Sequence, residues 1–230
     1  MEKSVLVEML VEDMSSQFLK RFEGRMPTSW NEAVGRSVND PHIDPALERY
    51  ALGQARYFLV QSMFIEVGKQ CGYQTRIDLC EQNNYPIPVV IIGRFIVTAH
   101  YAFSASEKFV LNSSFTRKQH SAINNAYVLK NQGNLFEPAF DEKKIRDAKE
   151  VRANVLFGCA GSGLDFQNYG FLRIAFPSVE TVSDRVLLVE NHKYQDVLSL
   201  VSEKERKAKR QAKPMIDVAK PTLKSVVIKS

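Results

Sequence analysis

The residues with the clearest capacity for chemistry are an arginine and a histidine three positions apart, in the segment RKQHSAIN. Arg117 and His120 fall at the start of a predicted helix that Thr116 would cap. A histidine can act as a general base, and a nearby guanidinium can stabilise charge on a phosphate. The pair could therefore support metal-independent RNA cleavage. The spacing is tighter than a helical ribonuclease motif would need, so a solvated helix end is the favoured interpretation.

A glycine-rich string, VLFGCAGSGLDF, is the second candidate. Gly158, Gly161 and Gly163 follow a predicted strand and could cradle a phosphate if a helix came next, because helix N-terminal amides bind anions. The segment that follows, LDFQNYGFLRIAF, contains Gly170 and predicts another strand. We therefore interpret the string as a hairpin connection, and no cofactor is predicted.

The four histidines and three cysteines lack the spacing of a metal site. No histidine falls in an HExxH or HxH pattern, and no two cysteines form a CxxC pair. His100 lies inside a predicted strand, where a hydrogen-bonded structural role is expected. The odd number of cysteines argues against a disulfide framework and favours a reducing compartment. No metal is predicted, and the expected location is the cytoplasm.

The composition is typical of a soluble globular protein, with 44% apolar and 25% charged residues in a chain of 230. The start, MEKSVLVEMLVEDM, carries acidic residues among its apolar positions, so it is not interpreted as a signal peptide. The most apolar stretch, PVVIIGRFIV, is far shorter than a membrane span requires. We expect no membrane association.

Hydrophobic periodicity predicts the helices. One amphipathic helix is expected over residues 4–23, with Gly24 as its C-cap. A second is expected from Asp44 to Cys71, where Asp44 is the N-cap and Pro45 the first helical residue. Its apolar stripe comprises Leu47, Ala51, Ala55, Phe58, Leu59, Met63 and Val67.

Segments rich in β-branched and aromatic residues predict a sheet built from residues 87–111 and 151–190. Short helices are expected between these segments, and a last helix follows. Helices, strands, helices, strands and a helix succeed one another without regular alternation. This order predicts an α+β fold with a mostly antiparallel sheet packed against helices, a basic C-terminal helix and an extended tail. We predict a single α+β domain over residues 1–202.

The segment 203–230 is predicted to be a basic helix end followed by a flexible or partner-bound tail. It holds nine lysine or arginine residues against three acidic ones, a net charge of +6 that leaves about −1 for the other 202 residues. Basic side chains can contact nucleic-acid phosphates without base specificity, and a solvated helix end is an equally good alternative. The candidate nucleic-acid contacts are Lys204, Arg206, Lys207, Lys209, Arg210 and Lys213.

Beyond Pro214 the tail alternates apolar and polar residues and is too short to form its own core. Extended segments with spaced apolar anchors bind partners by strand addition or in grooves. The candidate partner-binding residues are Met215, Ile216, Val218, Leu223, Val226 and Ile228. The tail is therefore expected to bind a protein, either another copy or a different partner, with nucleic acid a secondary option.

Two function classes follow from these residues. The first is a non-enzymatic cytoplasmic interaction or regulatory protein, such as an antitoxin-like partner or an accessory subunit of a defence or DNA-transaction complex. The absence of a housekeeping signature favours a bacterial, plasmid or phage accessory protein. The alternative is a small metal-independent nuclease or phosphate-handling hydrolase that uses Arg117 and His120.

Overall fold

The computed structural model describes residues 4–38, 40–79, 84–102, 109–110, 118, 121–128, 139–159, 169–180 and 185–211. The α-helices with described bounds are α1 (Val5–Asp13), α2 (Ser16–Ser37), α3 (Glu48–Gln70), α4 (Glu142–Arg146) and α5 (Tyr194–Gln211). Short 3₁₀-helices occupy Pro45–Leu47 and Ile123–Tyr127. Within the described ranges, no helix combines the length and apolar character that crossing a membrane requires.

The described strands form one twisted sheet in the order β1-β2-β3-β5-β6-β7-β4. Of the described strand pairs, β3–β5 is the parallel one and the others are antiparallel. The predicted α+β fold with a mostly antiparallel sheet is therefore confirmed. The strands are β1 (Gln74–Leu79), β2 (Pro86–Ile92), β3 (Phe95–Tyr101), β4 (Phe109–Val110), β5 (Val151–Cys159), β6 (Tyr169–Glu180) and β7 (Arg185–Lys193).

One face of the sheet and the helices α1, α2, α3 and α5 share a single apolar core. Leu10, Phe18, Phe64, Phe95 and Val197 all belong to it, although they come from four helices and a strand. The rings of Phe18 and Phe64 meet edge to face, with their centroids 6.0 Å apart. This core fixes α3 and α5 on the sheet.

The first helical segment differs from the prediction, because it forms two helices rather than one. The chain is extended at Met14 and Ser15, and the Ser15 hydroxyl accepts a hydrogen bond from the N–H of Phe18 at 3.3 Å, which starts α2. The expected end at Gly24 is wrong, since α2 continues to Ser37. Phe22, Met26 and Trp30 extend one buried stripe through that point, and their burial outweighs the weak helix propensity of glycine.

The predicted helix over residues 44–71 is confirmed. Asp44 accepts a hydrogen bond from the N–H of Ala46 at 2.8 Å, and a 3₁₀ turn leads into α3. Gly68 lets α3 lie close to the sheet, because a Cβ there would come within 2.9 Å of a Val90 methyl group. The predicted packing of this helix on the sheet is also confirmed, since α3 contacts β1, β2 and β3.

The apolar stripe predicted for α3 is partly wrong. Leu47 and Phe58 are exposed rather than in the core, with Phe58 retaining 47% of its surface. The face that packs on α2 and the sheet instead includes Leu52, Val60 and Phe64. The helix α3 therefore has two apolar faces, of which one packs in the core and the other, with Phe58, is exposed.

The opposite face of the sheet is partly polar and buried. Because side chains alternate along a strand, Thr98 and His100 of β3 lie on this face with Asn154 of the neighbouring β5. Thr98 donates its hydroxyl proton to Asn154 Oδ1 at 2.9 Å, so it accepts from His100 Nε2, also at 2.9 Å. The predicted structural role of His100 as a hydrogen-bonded strand residue is confirmed.

The side chain of Asn124 bridges β5 and β6 at the end where the two strands are not paired. The pairing of β5 with β6 begins at Asn154 and Ala175. Before that point, the amide of Asn124 accepts from the N–H of Arg152 at 2.9 Å and donates to the carbonyl of Pro177 at 2.7 Å. The 3₁₀-helix that contains Asn124 therefore replaces part of the ladder between the strands.

Candidate functional site

The basic end of α5 makes contacts with the first two helices. Lys204 Nζ donates to the carbonyls of Val11, at 2.9 Å, and Glu12, at 2.5 Å, in the last turn of α1. These carbonyls have no intrahelical donors, and a cation at a helix C-terminus also interacts favourably with the helix dipole. Lys204 therefore caps α1, a structural role that the sequence did not reveal.

Glu205 performs the complementary task at the start of α2. Its carboxylate accepts from the N–H of Ser16 at 2.8 Å and from the Ser16 hydroxyl at 2.5 Å. Burial would raise the pKa of Glu205, but the Ser16 hydrogen bonds together with Lys209 and Lys20 lower it more, so its pKa lies below the ordinary value. The two neighbouring charges on α5 thus fasten both sides of the α1–α2 junction.

Acidic residues surround the remaining positive charge. Lys207 pairs with Glu203 one turn earlier, at 2.8 Å. An open cleft of about 460 Å³ between α1 and α5 is lined by Glu8 and Glu12 as well as by Glu203, Lys204 and Lys207. Mixed charge of this kind attracts a polyanion less than an unopposed basic surface would. Of the predicted phosphate contacts, Arg206, Lys209 and Arg210 remain as exposed cations of α5.

A second surface lies between α3 and β1, and we call it the α3–β1 groove. It encloses about 410 Å³, a volume that accommodates a few side chains. Its apolar lining comprises Tyr57, Phe58, Ile65, Ile77, Tyr85, Pro86 and Pro88. The rings of Tyr57, Phe58 and Tyr85 contact one another, with Phe58 and Tyr85 centroids 6.5 Å apart.

The groove is bordered by strand β1, which is an edge of the sheet among the described strands. Ile77 and Leu79 retain 60% and 61% of their surface, a large exposure for two apolar residues on one strand. Both point to the helix side of the sheet, since side chains alternate and Thr75 contacts the position of Gly68. Exposed apolar edge strands are templates for pairing with another chain.

Two prolines of β2 determine which backbone groups β1 offers to this edge. Antiparallel pairs alternate between those that exchange hydrogen bonds and those that do not. Pro88 and Pro86 lie opposite Ile77 and Leu79 and have no N–H, so these are the pairs without hydrogen bonds. The N–H and C=O groups of Thr75, Ile77 and Leu79 therefore point away from β2, toward the open edge.

The same prolines explain a buried glutamine under the groove. The pairing of β2 with β3 ends at Val90 and Val97. Two residues further along, Pro88 would lie opposite Ala99, but it has no N–H to donate to the Ala99 carbonyl. The carbonyl of Ala99 accepts a hydrogen bond from Nε2 of Gln61 on α3 in place of a bond from Pro88. Gln61 thus replaces the missing proline donor and anchors the helix that lines the groove.

Two findings on the described residues bear on catalysis. Within them, no group of three or more histidine, cysteine or acidic side chains is placed to hold a metal ion. Burial raises the pKa of the free Cys71 thiol, although the nearby Arg21 opposes this shift. The raised pKa disfavours the reactive thiolate. Arg117 and His120, the alternative catalytic pair, lie outside the described residues, as do Gly161 and Gly163.

The predicted tail contacts also lie outside the described residues. These are the basic residue Lys213 and the apolar anchors Met215, Ile216, Val218, Leu223, Val226 and Ile228. Their assignment stays a prediction. So does the domain boundary between residues 202 and 203, although α5 continues through it and residues 204 and 205 contact α1 and α2.

Sequence reasoning did not identify the α3–β1 groove. Two signals were present, although neither is specific. The segment QTRIDL alternates polar and apolar residues directly after Gly72, which is a strand pattern. The helix α3 also carries Tyr57, Phe58 and Ile65 in addition to the residues that its core face needs.

The chain matches no family model, and no curated protein or solved structure is significantly similar to it. Inferences about its function therefore depend on its own residues and geometry.

Proposed function

We propose that the protein is a non-enzymatic interaction protein that binds an extended polypeptide segment at the α3–β1 groove, by adding a strand to β1. The observation that carries this proposal is that, within the described part of the chain, an open strand edge lies beside an apolar groove. The edge supplies main-chain hydrogen bonds, and the groove receives alternate side chains of the incoming strand, which together constitute strand addition.

The exposure of the groove residues supports this function. Phe58, Ile77 and Leu79 each retain close to half or more of their surface, although Phe58 lies on α3 and the other two lie on β1. A cluster of this kind beside an edge strand promotes aggregation unless a partner covers it. The partner that fits has apolar side chains at alternate positions, the pattern that the tail of this chain also shows.

The basic end of α5 has an assisting role in this proposal. Arg206, Lys209 and Arg210 are exposed and would accelerate encounter with an acidic partner or with nucleic-acid phosphates. Its neighbours Lys204 and Glu205 are engaged at the α1–α2 junction. We place the protein in the cytoplasm, because an odd number of cysteines with a free Cys71 suits a reducing compartment.

The experiment that tests this function replaces Phe58 with a photoreactive phenylalanine analogue. Asn31, an exposed residue of α2, receives the same analogue as a matched control. On irradiation in the native cells, we expect discrete adducts from position 58 and none from position 31. Mass spectrometry should map the partner's attachment site to a segment with alternating apolar residues, and Ile77→Lys should abolish the adduct.

Equal labelling from both positions, or no adduct from position 58, would refute the groove as a binding surface. The enzymatic alternative is tested on the same purified protein with labelled RNA and DNA, with and without divalent metal. We expect no cleavage. Cleavage that His120→Ala abolishes would contradict the proposal and support the nuclease.

A further inference from the structure

We propose that the strand added at the α3–β1 groove is β1 of a second copy of this chain, so that the protein forms a symmetric dimer with one continuous sheet. This inference rests on the proposed function and identifies the partner. Three properties of β1 carry it: its charges, its free backbone groups and its apolar face.

The charges of β1 are self-complementary in one antiparallel register. Arg76 and Asp78 lie on the same face of the strand, with Arg76 Nε 2.7 Å from Asp78 Oδ1. If two copies pair about a two-fold axis at Ile77, Arg76 of each copy lies opposite Asp78 of the other. The closed symmetry of homodimers requires this kind of self-matching surface, and directly opposite charges of unlike sign stabilise antiparallel strands.

The backbone groups of β1 that point away from β2 are compatible with the same register. Thr75, Ile77 and Leu79 direct their N–H and C=O groups to the open edge, because the prolines of β2 lie opposite Ile77 and Leu79. Pairing about Ile77 places Ile77 opposite Ile77 and Thr75 opposite Leu79 of the second copy. All of these are then hydrogen-bonded pairs, while Arg76 and Asp78 fall in the closer pairs without hydrogen bonds.

The apolar face is buried by the same arrangement. Ile77 of the second copy would lie beside the groove residues Phe58 and Tyr85, and Leu79 would cover Thr75 of the other strand. Ile77 and Leu79, exposed by 60% and 61% in the single chain, would lose part of that exposure on both copies. A shift of one residue would turn these side chains away from the grooves, so odd-numbered residues of β1 must lie opposite one another. Among the registers that satisfy this condition, an axis at residue 76 or 78 places like charges opposite each other, so the charges favour the axis at Ile77.

The test is the oligomeric state of purified protein, measured by sedimentation velocity over a dilution series. We expect a dimer in the wild type. Arg76→Asp places acidic residues opposite each other twice and should raise the dimer dissociation constant about tenfold or more. Asp78→Arg should weaken the dimer similarly, and the double variant R76D/D78R should restore it to within about threefold of the wild type.

A matched control changes the same charge elsewhere. Arg36 forms an exposed pair with Glu32 on α2, and Arg36→Asp should leave the dissociation constant unchanged. Ile77→Cys gives an independent check of the register. Paired residues on the axis have Cα atoms about 5.5 Å apart, within disulfide range, whereas Thr75→Cys places its thiols beyond that range. We therefore expect a disulfide-linked dimer from Ile77→Cys alone.

A wild-type monomer, a dimer insensitive to the charge variants, or a double variant that fails to recover would each overturn the proposal. These outcomes are distinguishable from failure of the proposed function. If the protein is a monomer but position 58 still crosslinks specifically to a different protein, the groove binds a foreign strand and only the self-pairing is wrong. If position 58 also gives no adduct, both proposals fail.

Discussion

The basic end of α5 and the α3–β1 groove are both surface regions, but their side chains have different surroundings. Lys204 and Glu205 of α5 bind backbone groups of α1 and α2 from 189 or more positions away in the chain. Phe58 and Ile77 both line the groove and remain about half exposed. The basic end of α5, which is conspicuous in the sequence, is partly structural, whereas the groove, which is not conspicuous, holds exposed apolar residues.

The difference shows how charge and apolar area should be weighed. A surface charge gains little from any one neighbour, and an acid or base close by readily satisfies it. An exposed apolar side chain cannot be stabilised by one neighbouring charge in this way, because only its removal from water stabilises it. A run of basic residues is therefore a weaker sign of an interaction surface than a set of exposed apolar residues on rigid elements.

The largest change in stability is expected from substitutions at the N-terminus of α5, where the helix is anchored in the core. Tyr194 is buried, and its hydroxyl donates to the carbonyl of Leu19 at 3.1 Å. Tyr194→Ala should lower the free energy of unfolding by about 3–5 kcal/mol. Tyr194→Phe should cost about 1 kcal/mol, since it removes the hydrogen bond alone. Urea denaturation measures both, and a loss below about 1 kcal/mol for Tyr194→Ala would show that α5 is not anchored there.

Two truncations sharpen the comparison at the other end of α5. Deletion of residues 212–230 should change the free energy of unfolding by less than about 0.5 kcal/mol, because the sequence predicts a flexible or partner-bound tail for this segment. Deletion of residues 203–230 also removes Lys204 and Glu205 and should cost about 2 kcal/mol more, because helix ends lose their caps. Equal stability of the two truncated proteins would contradict the structural role of these residues.

The cap by Glu205 also predicts a dependence on pH. Glu205→Gln should cost about 1 kcal/mol near pH 7. The folded-state pKa of Glu205 is lowered, so its stabilisation is present above the unfolded pKa of about 4.3 and is lost as pH falls through the folded pKa. The difference in unfolding free energy between wild type and Glu205→Gln should therefore shrink below about pH 4.

Glu203→Gln is the matched control for this pH dependence. Glu203 pairs with Lys207 on the exposed surface of the same helix, so its replacement should cost less than about 0.5 kcal/mol. A Glu205→Gln effect as small as that of the control, or one that grows in acid, would show that the contacts with Ser16 do not stabilise the junction.

The smallest effect on stability is expected at the groove. Phe58→Ser and Ile77→Ser should each change the free energy of unfolding of the single chain by about 0.5 kcal/mol or less, since both side chains are about half exposed. Dilute protein, in which any assembly has dissociated, is the appropriate sample for thermal or chemical denaturation. A loss above about 2 kcal/mol would mean that the groove residues support the fold rather than a partner.

Local patterns predicted much of the fold, and long-range contacts account for what they missed. The cap at Asp44 and the periodicity of α3 were sufficient to place that helix. Periodicity could not show that Phe58 lies on a second, exposed face, because that depends on where α2 and the sheet pack. Likewise, the caps provided by Lys204 and Glu205 join segments far apart in sequence, and no local spacing reveals such a pair.

The candidate site was harder to predict than the fold. Strand β1 is short, and its alternating pattern in QTRIDL is too brief to distinguish a strand from a loop. Its position at an edge of the sheet follows from the pairing order of distant strands. The direction of its free backbone groups follows from Pro86 and Pro88 across the ladder, a relation that exists only once the strands are paired.

The comparison of the two regions is tested most directly by crosslinking from position 58 in three backgrounds. The backgrounds are the otherwise unchanged chain, Ile77→Lys in the groove, and the triple variant R206E/K209E/R210E at the basic end of α5. Ile77→Lys should abolish the adduct, while the triple variant should keep at least about half of its yield, since rim charges act mainly on the rate of encounter. Loss of the adduct in the triple variant with retention in Ile77→Lys would contradict the groove as the binding surface.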